Sequence, residues 1–368
     1  MIWEPERLDD QHHLSEADPG GMLRAVAASA AHVRTGYRCA VEAGVDRLSA
    51  AIRPRAVVVA GVGGSALAGD LLAAVCGQGA PVPVVTVRSY QLPGWVGATD
   101  LVIAVSWSGE TGETLAMAGE AVRRGCSLLA IGPAGSPLEA VAVQSSSVYV
   151  PIPTEGRPRA DFWLVATPLV VAAAALGLGR AEPTDYERAA RVLEDLAHRC
   201  RPSSESFINP GKSLAMELAE TVPMIWGSSP LAAVAAARLA ARLHENAKYP
   251  AMAGELPEAC HDQLAVLDGP LAQRDIFADT ASRTLRLVLL RDLEEHPAVT
   301  GAREAAVRIA QDRSVPVTEL AADGAHPLER LASLIGLADF AGTYLALGYG
   351  VDPTPVVPIT ELKARTSH

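Results

Sequence analysis

The sequence has few aromatic residues and no concentration of positive charge. Phe, Trp and Tyr make up 4% of the 368 residues, too few for the stacking platforms that bind single-stranded nucleic acid. The formal net charge is -11 and no run of Lys or Arg is dense, so we expect no nucleic-acid partner. A single small phosphate needs only a local cluster of donors, and the acidic balance does not exclude one.

Cysteine pairs and a secretory signal are also missing. The 5 cysteines are scattered without a Cys-x-x-Cys pair, which indicates reduced thiols in an intracellular protein and disfavours a zinc site. The first residues lack the basic and apolar regions of a signal peptide. The uncharged stretch Phe162 to Leu178 is short and carries Pro168, which favours a buried helix over a membrane span. We therefore expect a soluble, cytoplasmic protein with no membrane association.

Short apolar runs alternate with helical patterns through most of the chain. In the first half, five runs are typical of buried strands, at 56–60, 82–87, 101–105, 127–131 and 147–150. The second half repeats this layout with strands predicted at 222–226, 285–290 and 315–320. The pattern predicts an α/β protein with two tandem domains, at 1–180 and 205–368, each a mostly parallel, doubly wound sheet flanked by helices.

Helical spacing of apolar residues also covers Met22 to Ala51, ahead of the first predicted strand. Gly36 and Gly44 interrupt this pattern, so it predicts either one helix or two.

Two predicted strands each run into a loop rich in glycine and hydroxyl residues before a helix. The first loop is Gly61-Val62-Gly63-Gly64-Ser65, and the second runs from Ser106 to Thr111. Free backbone N–H groups at a helix start suit an anion, and hydroxyl side chains add donors without adding charge. If the two strands are neighbours in one sheet, the loops together form a binding site for a phosphate monoester.

Two alternatives apply to the first loop. It matches the Gly-x-Gly-x-x-Ala pattern of dinucleotide-binding domains, which leaves an NADP-dependent oxidoreductase open. The ribose-binding acid is missing, since no Asp or Glu occurs between Leu71 and Thr99, although Arg88 could hold the 2′-phosphate of NADP. The other alternative is a tight turn without a ligand. Neither explains the hydroxyl cluster after the third strand.

The segment Ser106-x-Ser108-Gly109-x-Thr111-x-Glu113-Thr114 resembles the phosphosugar-binding signature of sugar isomerase (SIS) domains. Gly61-x-Gly63-Gly64-Ser65 with Gly69-Asp70 resembles the first loop of one branch, the bifunctional phosphoglucose/phosphomannose isomerases. Further segments resemble that branch in order along the chain, at 158–160, 209–215, 245–248, 258–261 and 352–363.

The resemblance runs from about residue 55 to 363 and implies two tandem SIS-type domains. It implies an aldose–ketose isomerase that interconverts glucose 6-phosphate, mannose 6-phosphate or both with fructose 6-phosphate through a cis-enediol. It further implies that the enzyme uses no metal or other cofactor, takes a hexose 6-phosphate as its substrate and forms a homodimer.

The resemblance also assigns catalytic roles to four residues. Glu245 matches the base that moves a proton between C1 and C2, and His261 matches the ring-opening histidine, which the family contributes across a dimer interface. Lys363 matches a lysine that helps to open the ring. Arg159 matches the arginine that stabilises the enediolate. The structural alternatives are a surface Glu245 paired with Lys248, a solvent-exposed or structural His261 and a solvated Lys363. Arg157 is a rival to Arg159 for the enediolate.

Five residues of the two loops are predicted to contact the phosphate: Gly64, Ser65, Ser106, Ser108 and Thr111. Thr354 is the candidate for a small residue that leaves room for both C2 epimers.

The chain departs from the family pattern at three places. Glu110 stands where the family usually has Asn, and a carboxylate there repels a phosphate unless it points away or meets a cation. His261 is followed by Asp-Gln rather than Asn-Glu, and Asp161 follows Arg159-Ala160 in place of a small apolar residue. The acid–base residues are intact, but a catalytically weak or inactive phosphosugar-binding SIS protein remains an alternative.

Overall fold

The computed structural model describes residues 2–45, 48, 53–154, 156–272 and 284–366. The chain divides into two compact units. The first-sheet unit consists of Ala28–Glu194 and His326–Glu329. The second-sheet unit consists of Met1–Ala27, Asp195–Ala325 and Arg330–His368. The domain ranges 1–180 and 205–368 stay a prediction.

Strands and helices alternate along most of the chain. The strands are β1 (Val57–Ala60), β2 (Val84–Val87), β3 (Leu101–Val105), β4 (Ser127–Pro133), β5 (Val148–Ile152), β6 (Thr221–Gly227), β7 (Met252–Glu255), β8 (Thr284–Arg291) and β9 (Val317–Ala321). The helices are α1 (Gln11–Ala17), α2 (Met22–Ala27), α3 (Ser29–Glu42), α4 (Gly64–Cys76), α5 (Gly112–Arg123), α6 (Pro137–Gln144), α7 (Phe162–Ala175), α8 (Pro183–Arg199), α9 (Pro210–Leu218), α10 (Pro230–Glu245), α11 (Pro297–Asp312), α12 (Pro327–Gly348) and α13 (Val357–Thr366).

Each unit contains a sheet whose neighbouring strands are parallel. The order is β2-β1-β3-β4-β5 in the first-sheet unit and β7-β6-β8-β9 in the second-sheet unit. Every residue of β1 and of β3 is buried, as in parallel strands that helices cover on both faces. The predicted α/β class with two doubly wound parallel sheets is confirmed, and all eight predicted strands are present with small shifts at their ends.

One strand was missed. No strand was predicted between 227 and 284, but Met252–Glu255 forms β7 at the edge of the second sheet. Its sequence, Met-Ala-Gly-Glu, has no β-branched or aromatic residue and so carries no local strand signal. Pairing with β6 from Met224 to Gly227 is what makes this segment a strand.

The helical pattern that begins at Met22 forms two helices, α2 and α3, separated at Ala28. Gly36 lies inside α3 because α7 packs closely there: a Cβ on Gly36 would lie 3.1 Å from the carbonyl oxygen of Leu164. Residues 46, 47 and 49–51 of the predicted helix lie outside the described residues.

Two long apolar helices are buried within the protein. The predicted core helix at Phe162 is confirmed as α7, which is buried along most of its length and contains Pro168. Helix α12 has the length and hydropathy of a membrane span, but 89% of its apolar window is buried inside the protein. Burial of that kind is what a core helix of a folded domain shows.

Helices α10 and α12 of the second-sheet unit are joined by a buried ion pair. Arg238 Nε lies 2.7 Å from Asp339 Oδ1, and Arg238 Nη2 donates to Asp339 Oδ2 at 2.8 Å. Both side chains are 1% exposed. A bidentate guanidinium–carboxylate pair fixes the two helices in one register because its geometry is planar and directional.

We expect Asp339→Ala to lower the free energy of unfolding by about 3–5 kcal/mol, because it removes the carboxylate from a buried guanidinium. Urea unfolding followed by circular dichroism measures the change. The control is Asp195→Ala, which removes a partner of Arg199 from an exposed pair and should leave the urea midpoint unchanged. Equal midpoints for both variants would contradict this account of the α10–α12 contact.

Candidate active site

The two glycine- and hydroxyl-rich loops follow adjacent strands of the first sheet. Strand β1 pairs with β3 from Val57↔Leu101 to Ala60↔Ala104, so both strands end at the same edge. The chain passes from β1 to β2 on one side and returns to β3 on the other, which makes β1/β3 the point where the strand order reverses. Ligands of open parallel sheets bind at the carboxyl ends of the strands at such a point.

The first loop brings exposed backbone to the start of α4. Gly63 has φ +58, in the left-handed region, and Gly64 begins the helix and is exposed. The first N–H groups of a helix have no intrahelical acceptor, so those of Gly64 and Ser65 suit an anion. Gly69 then allows α4 to lie against the sheet, since a Cβ there would be 2.9 Å from the Cβ of Val59.

The second loop gathers three hydroxyl groups at the start of α5. Ser106 Oγ lies 2.9 Å from Thr111 Oγ1 and 3.4 Å from Ser108 Oγ, and Ser108 Oγ lies 3.4 Å from Thr111 Oγ1. Ser106 is 2% exposed, Ser108 is exposed and Thr111 is half-buried. These three side chains therefore form a small cluster of neutral donors (the hydroxyl cluster).

Gly109 shapes the second loop. Its φ is +68, and a Cβ would lie 2.3 Å from the Cβ of Ser136. The N–H of Gly109 donates to Ser106 Oγ at 3.0 Å, and its carbonyl accepts from the N–H of Leu138 at 3.1 Å. Glu110 beside it is exposed, and its own N–H donates to Ser108 Oγ at 3.3 Å.

Arg159 lies in the same unit, on the segment that connects β5 to α7. It is half-buried, whereas its neighbour Arg157 is exposed. Strand β5 is parallel to β4, so this segment leaves the sheet at the same edge as the two loops. Asp161, two residues further on, accepts a hydrogen bond from Trp107 Nε1 at 3.1 Å. The Arg159 segment is thereby tied to the loop that carries the hydroxyl cluster.

At the equivalent edge of the second sheet, the serines that follow β6 hydrogen-bond to Asp292, which also pairs with Arg330. Ser229 Oγ donates to Asp292 Oδ2 at 2.8 Å, and the N–H of Asp292 donates to Ser228 Oγ at 2.9 Å. Arg330 Nε lies 3.2 Å from Asp292 Oδ1, and both side chains are at most 5% exposed. The serines that follow β6 are therefore occupied by a carboxylate, unlike those that follow β3.

Glu245 ends α10 in the second-sheet unit. Its Oε2 contacts Nη2 of Arg242, whose side chain is 4% exposed against 29% for Glu245. Lys248, the partner considered in the sequence analysis, donates from Nζ to the main-chain carbonyl of Glu245 at 2.6 Å. Glu245 borders a cavity of about 730 Å³, within the range of small-molecule sites.

The described residues that line this cavity come from two segments of the second-sheet unit: His244, Glu245, Lys248, Tyr249 and Pro250, with Gly350, Val351, Asp352, Pro355, Val356, Val357, Pro358 and Ile359. Thr354, Lys363 and His261 are not among them. Thr354 packs against Gly20, where a Cβ would lie 1.9 Å from Thr354 Oγ1. Lys363 is exposed on α13, and His261 is exposed after a short turn at Glu258–Cys260.

Two further features bear on cofactors. Arg88, which the NADP alternative requires, forms an ion pair with Asp70 of α4. Among the described residues, no group of three or more His, Cys, Asp or Glu side chains is arranged to hold a metal ion.

The model of the bacterial phospho-glucose isomerase C-terminal SIS domain matches residues 207–366. Tagatose-6-phosphate ketose/aldose isomerase from Escherichia coli has a similar structure, with a TM-score of 0.65 and 15% identity, covering 91% of this chain and 93% of that one. A hypothetical protein from Thermus thermophilus aligns with a TM-score of 0.70 and 16% identity over 98% and 94%. The fold is that of the SIS proteins.

The bifunctional phosphoglucose/phosphomannose isomerase of Caldicellulosiruptor bescii is 33% identical over 309 residues, which cover 83% of this chain and 88% of that protein. The chain belongs to the bifunctional phosphoglucose/phosphomannose isomerase family, a family of sugar-phosphate isomerases. The family resemblance predicted from the sequence motifs is confirmed.

We expect Gly109→Ala to weaken binding of glucose 6-phosphate by about tenfold or more, because the new methyl group must displace Ser136 and with it the loop. Isothermal titration calorimetry measures the affinity. Gly135→Ala is the matched control: its φ is +75, but nothing lies within 4 Å of the added Cβ. Both variants carry the left-handed backbone cost of about 1–2 kcal/mol. The same affinity in both would show that the Gly109–Ser136 contact is unimportant for binding.

Proposed function

We propose that this chain is an aldose–ketose isomerase that interconverts glucose 6-phosphate, mannose 6-phosphate or both with fructose 6-phosphate. The proposed reaction is a metal-independent proton transfer through a cis-enediol, without a cofactor. The observation that carries the proposal is the hydroxyl cluster of Ser106, Ser108 and Thr111 at the reversal point of the first sheet. Similarity to the bifunctional phosphoglucose/phosphomannose isomerase of Caldicellulosiruptor bescii supports the choice of substrates.

The phosphate group binds at the first-sheet unit in this proposal. Its oxygens accept from the N–H groups of Gly64 and Ser65 and from the three hydroxyls, which turn from one another toward the ligand. Neutral donors are sufficient because the aligned peptide dipoles of α4 and α5 favour negative charge at their first turns. Arg159 adds a fixed positive charge on a segment tied to this loop, and we assign it to stabilising the enediolate.

The proton transfer is assigned to Glu245. A carboxylate that borders a cavity of substrate size can take the C2 proton and return it to C1. The contact with Arg242 supports this assignment, because it holds the carboxylate in one orientation.

His261 and Lys363 are assigned to ring opening, with His261 supplied by a second copy in a cytoplasmic homodimer. Thr354 stays the candidate for admitting both C2 epimers, although it packs against Gly20 and is not among the residues that line the cavity.

The rival proposal is a family member that binds phosphosugars without converting them. Incubation with glucose 6-phosphate or mannose 6-phosphate in deuterated water, with EDTA present, separates the two. The isomerase forms fructose 6-phosphate and incorporates deuterium at C1 and C2. Binding of fructose 6-phosphate with no deuterium at either carbon would support the rival. Binding of NADP that phosphosugar does not displace, lost in Arg88→Ala, would instead support an oxidoreductase.

We expect Glu245→Gln to lower kcat by about three powers of ten or more while the affinity for fructose 6-phosphate stays within a few fold, because the amide cannot accept the proton. Initial rates and calorimetric affinities test both parts. Glu304→Gln, an exposed glutamate on α11, is the control and should behave as the parent protein does. A kcat within twofold of the parent value in Glu245→Gln would remove this residue as the base.

We expect Glu110→Asn to tighten hexose 6-phosphate binding by about two- to fivefold at low salt, because it removes a carboxylate from the loop that receives a dianion. The gain should shrink as ionic strength rises, since exposed charges are screened. KM measured across a salt series tests this. Glu113→Gln, in the first turn of α5, controls for charge removal nearby. An unchanged KM at every salt concentration would mean that the Glu110 carboxylate points away from the phosphate.

A further inference from the structure

Asp161 has a buried carboxylate, and it is not one of the residues proposed to bind the phosphate. It is 1% exposed and lies at the residue before α7, but its side chain makes no capping hydrogen bond to that helix. Instead Oδ2 accepts from Trp107 Nε1 at 3.1 Å, and Oδ1 lies 3.6 Å from His32 Nε2. Burial raises the pKa of Asp161 above its ordinary value, and His32, the Trp107 hydrogen bond and a hydrogen bond from the Arg157 backbone offset only part of that rise.

The hydrogen bond between Trp107 and Asp161 joins two segments that each carry a proposed site residue. Trp107 stands between Ser106 and Ser108 of the hydroxyl cluster. Asp161 ends the short turn that carries Arg159, in which the N–H groups of Ala160 and Asp161 donate to the carbonyl of Arg157 at 2.9 and 3.0 Å.

The start of that turn is also held against the same carboxylate. A Cβ on Gly156 would lie 2.3 Å from Asp161 Oδ2, so the backbone at Gly156 sits directly on it. The carboxylate at the end of the Arg159 turn thus lies against the start of that turn and accepts a hydrogen bond from the Trp107 indole.

Stability alone gives a weak reason for this arrangement. Burying a carboxylate costs several kcal/mol, and two neutral donors, the Trp107 indole and the Arg157 backbone N–H, together with a histidine at 3.6 Å, offset only part of that cost. The contacts instead fix the relative position of two loops that are far apart in the chain, because the Trp107 indole N–H donates to the buried Asp161 carboxylate. A guanidinium that must meet a developing charge depends on such placement, since a shift of about 1 Å can cost about 100-fold in rate.

We propose that Asp161 is a positioning residue that fixes Arg159 relative to the hydroxyl cluster through its hydrogen bond with Trp107. This inference rests on the proposed function, because it concerns the arginine assigned to the enediolate. Asp161 itself does not touch substrate in this account; it acts through Arg159 and Trp107.

The first test measures the order of the Arg159 turn without reference to activity. Trypsin does not cut the Arg157–Pro158 bond but can cut after Arg159, and the product begins at Ala160. We expect Trp107→Phe, which leaves the cleavage sequence intact, to speed this cut by about fivefold or more, as the lost hydrogen bond loosens the turn. A cleavage rate in Trp107→Phe equal to that of the parent protein would overturn the proposal.

Trp163→Phe is the matched control for loss of an indole in the same unit. Its buried Nε1 has no hydrogen-bond partner within the described part of the chain, so its replacement should leave cleavage after Arg159 unchanged. If both variants were cut equally faster, general loosening of the unit would explain the result and the proposal would fail.

The second test asks whether Asp161 acts through Arg159. We expect Asp161→Ala to lower kcat by about tenfold with KM within about twofold, and Asp161→Asn, which keeps an acceptor for Trp107, to restore most of the rate. In an Arg159→Ala background, Asp161→Ala should lower kcat little further, because its target is already gone. A full tenfold loss in that background, or a loss confined to KM, would contradict the positioning role.

The two tests separate this inference from the proposed function. If the parent protein shows no isomerase activity but Trp107→Phe is cut faster than Trp163→Phe, the proposed reaction fails and the placement of the Arg159 turn stands. If the protein is active but Trp107→Phe is cut after Arg159 no faster than the parent protein, the proposed reaction stands and the positioning role fails.

Discussion

Parallel pairing between β1 and β3 is the constraint on which the proposed phosphate site depends. The register from Val57↔Leu101 to Ala60↔Ala104 makes the two strands end together, so their loops start from one edge. Gly61 permits this close approach, since a Cβ there would lie 3.1 Å from the carbonyl oxygen of Val105. The donors themselves are ordinary backbone and hydroxyl groups. In the proposed function, they suit a phosphate monoester because the sheet holds two sets of them at the same place.

The two sheets show that loop composition alone does not decide where an anion binds. Serines follow β6 as well as β3, at the same carboxyl edge of a parallel sheet. At β6, however, the carboxylate of Asp292 accepts from Ser229 and faces Arg330, so the local donors are already satisfied. At β3 the hydroxyls contact one another, and a phosphate dianion can replace these neutral contacts with charge-assisted ones. Of these two loops, the one that follows β3 is therefore the candidate anion site, because its hydroxyls have no carboxylate bonded to them among the contacts given above.

Features of the fold that depend on local sequence were predictable, and those that depend on distant contacts were not. Leu101–Val105 is a fully buried apolar run, and its predicted ends agree with the structure. Ser106 and Thr111 lie five positions apart, so their convergence follows from the loop itself. The strand Met252–Glu255 was missed because only β6 makes it extended. The Trp107–Asp161 hydrogen bond joins residues 54 positions apart, and no spacing rule points to it.

A crystal structure with bound fructose 6-phosphate tests the central claim most directly. The account predicts phosphate oxygens within about 3 Å of the hydroxyls of Ser106 and Thr111 and of the N–H groups at the start of α4. The distance between Ser106 Oγ and Thr111 Oγ1 should then exceed the present 2.9 Å, as both hydroxyls turn to the ligand. A phosphate bound at another place, with these two hydroxyls still bonded to each other, would contradict the account.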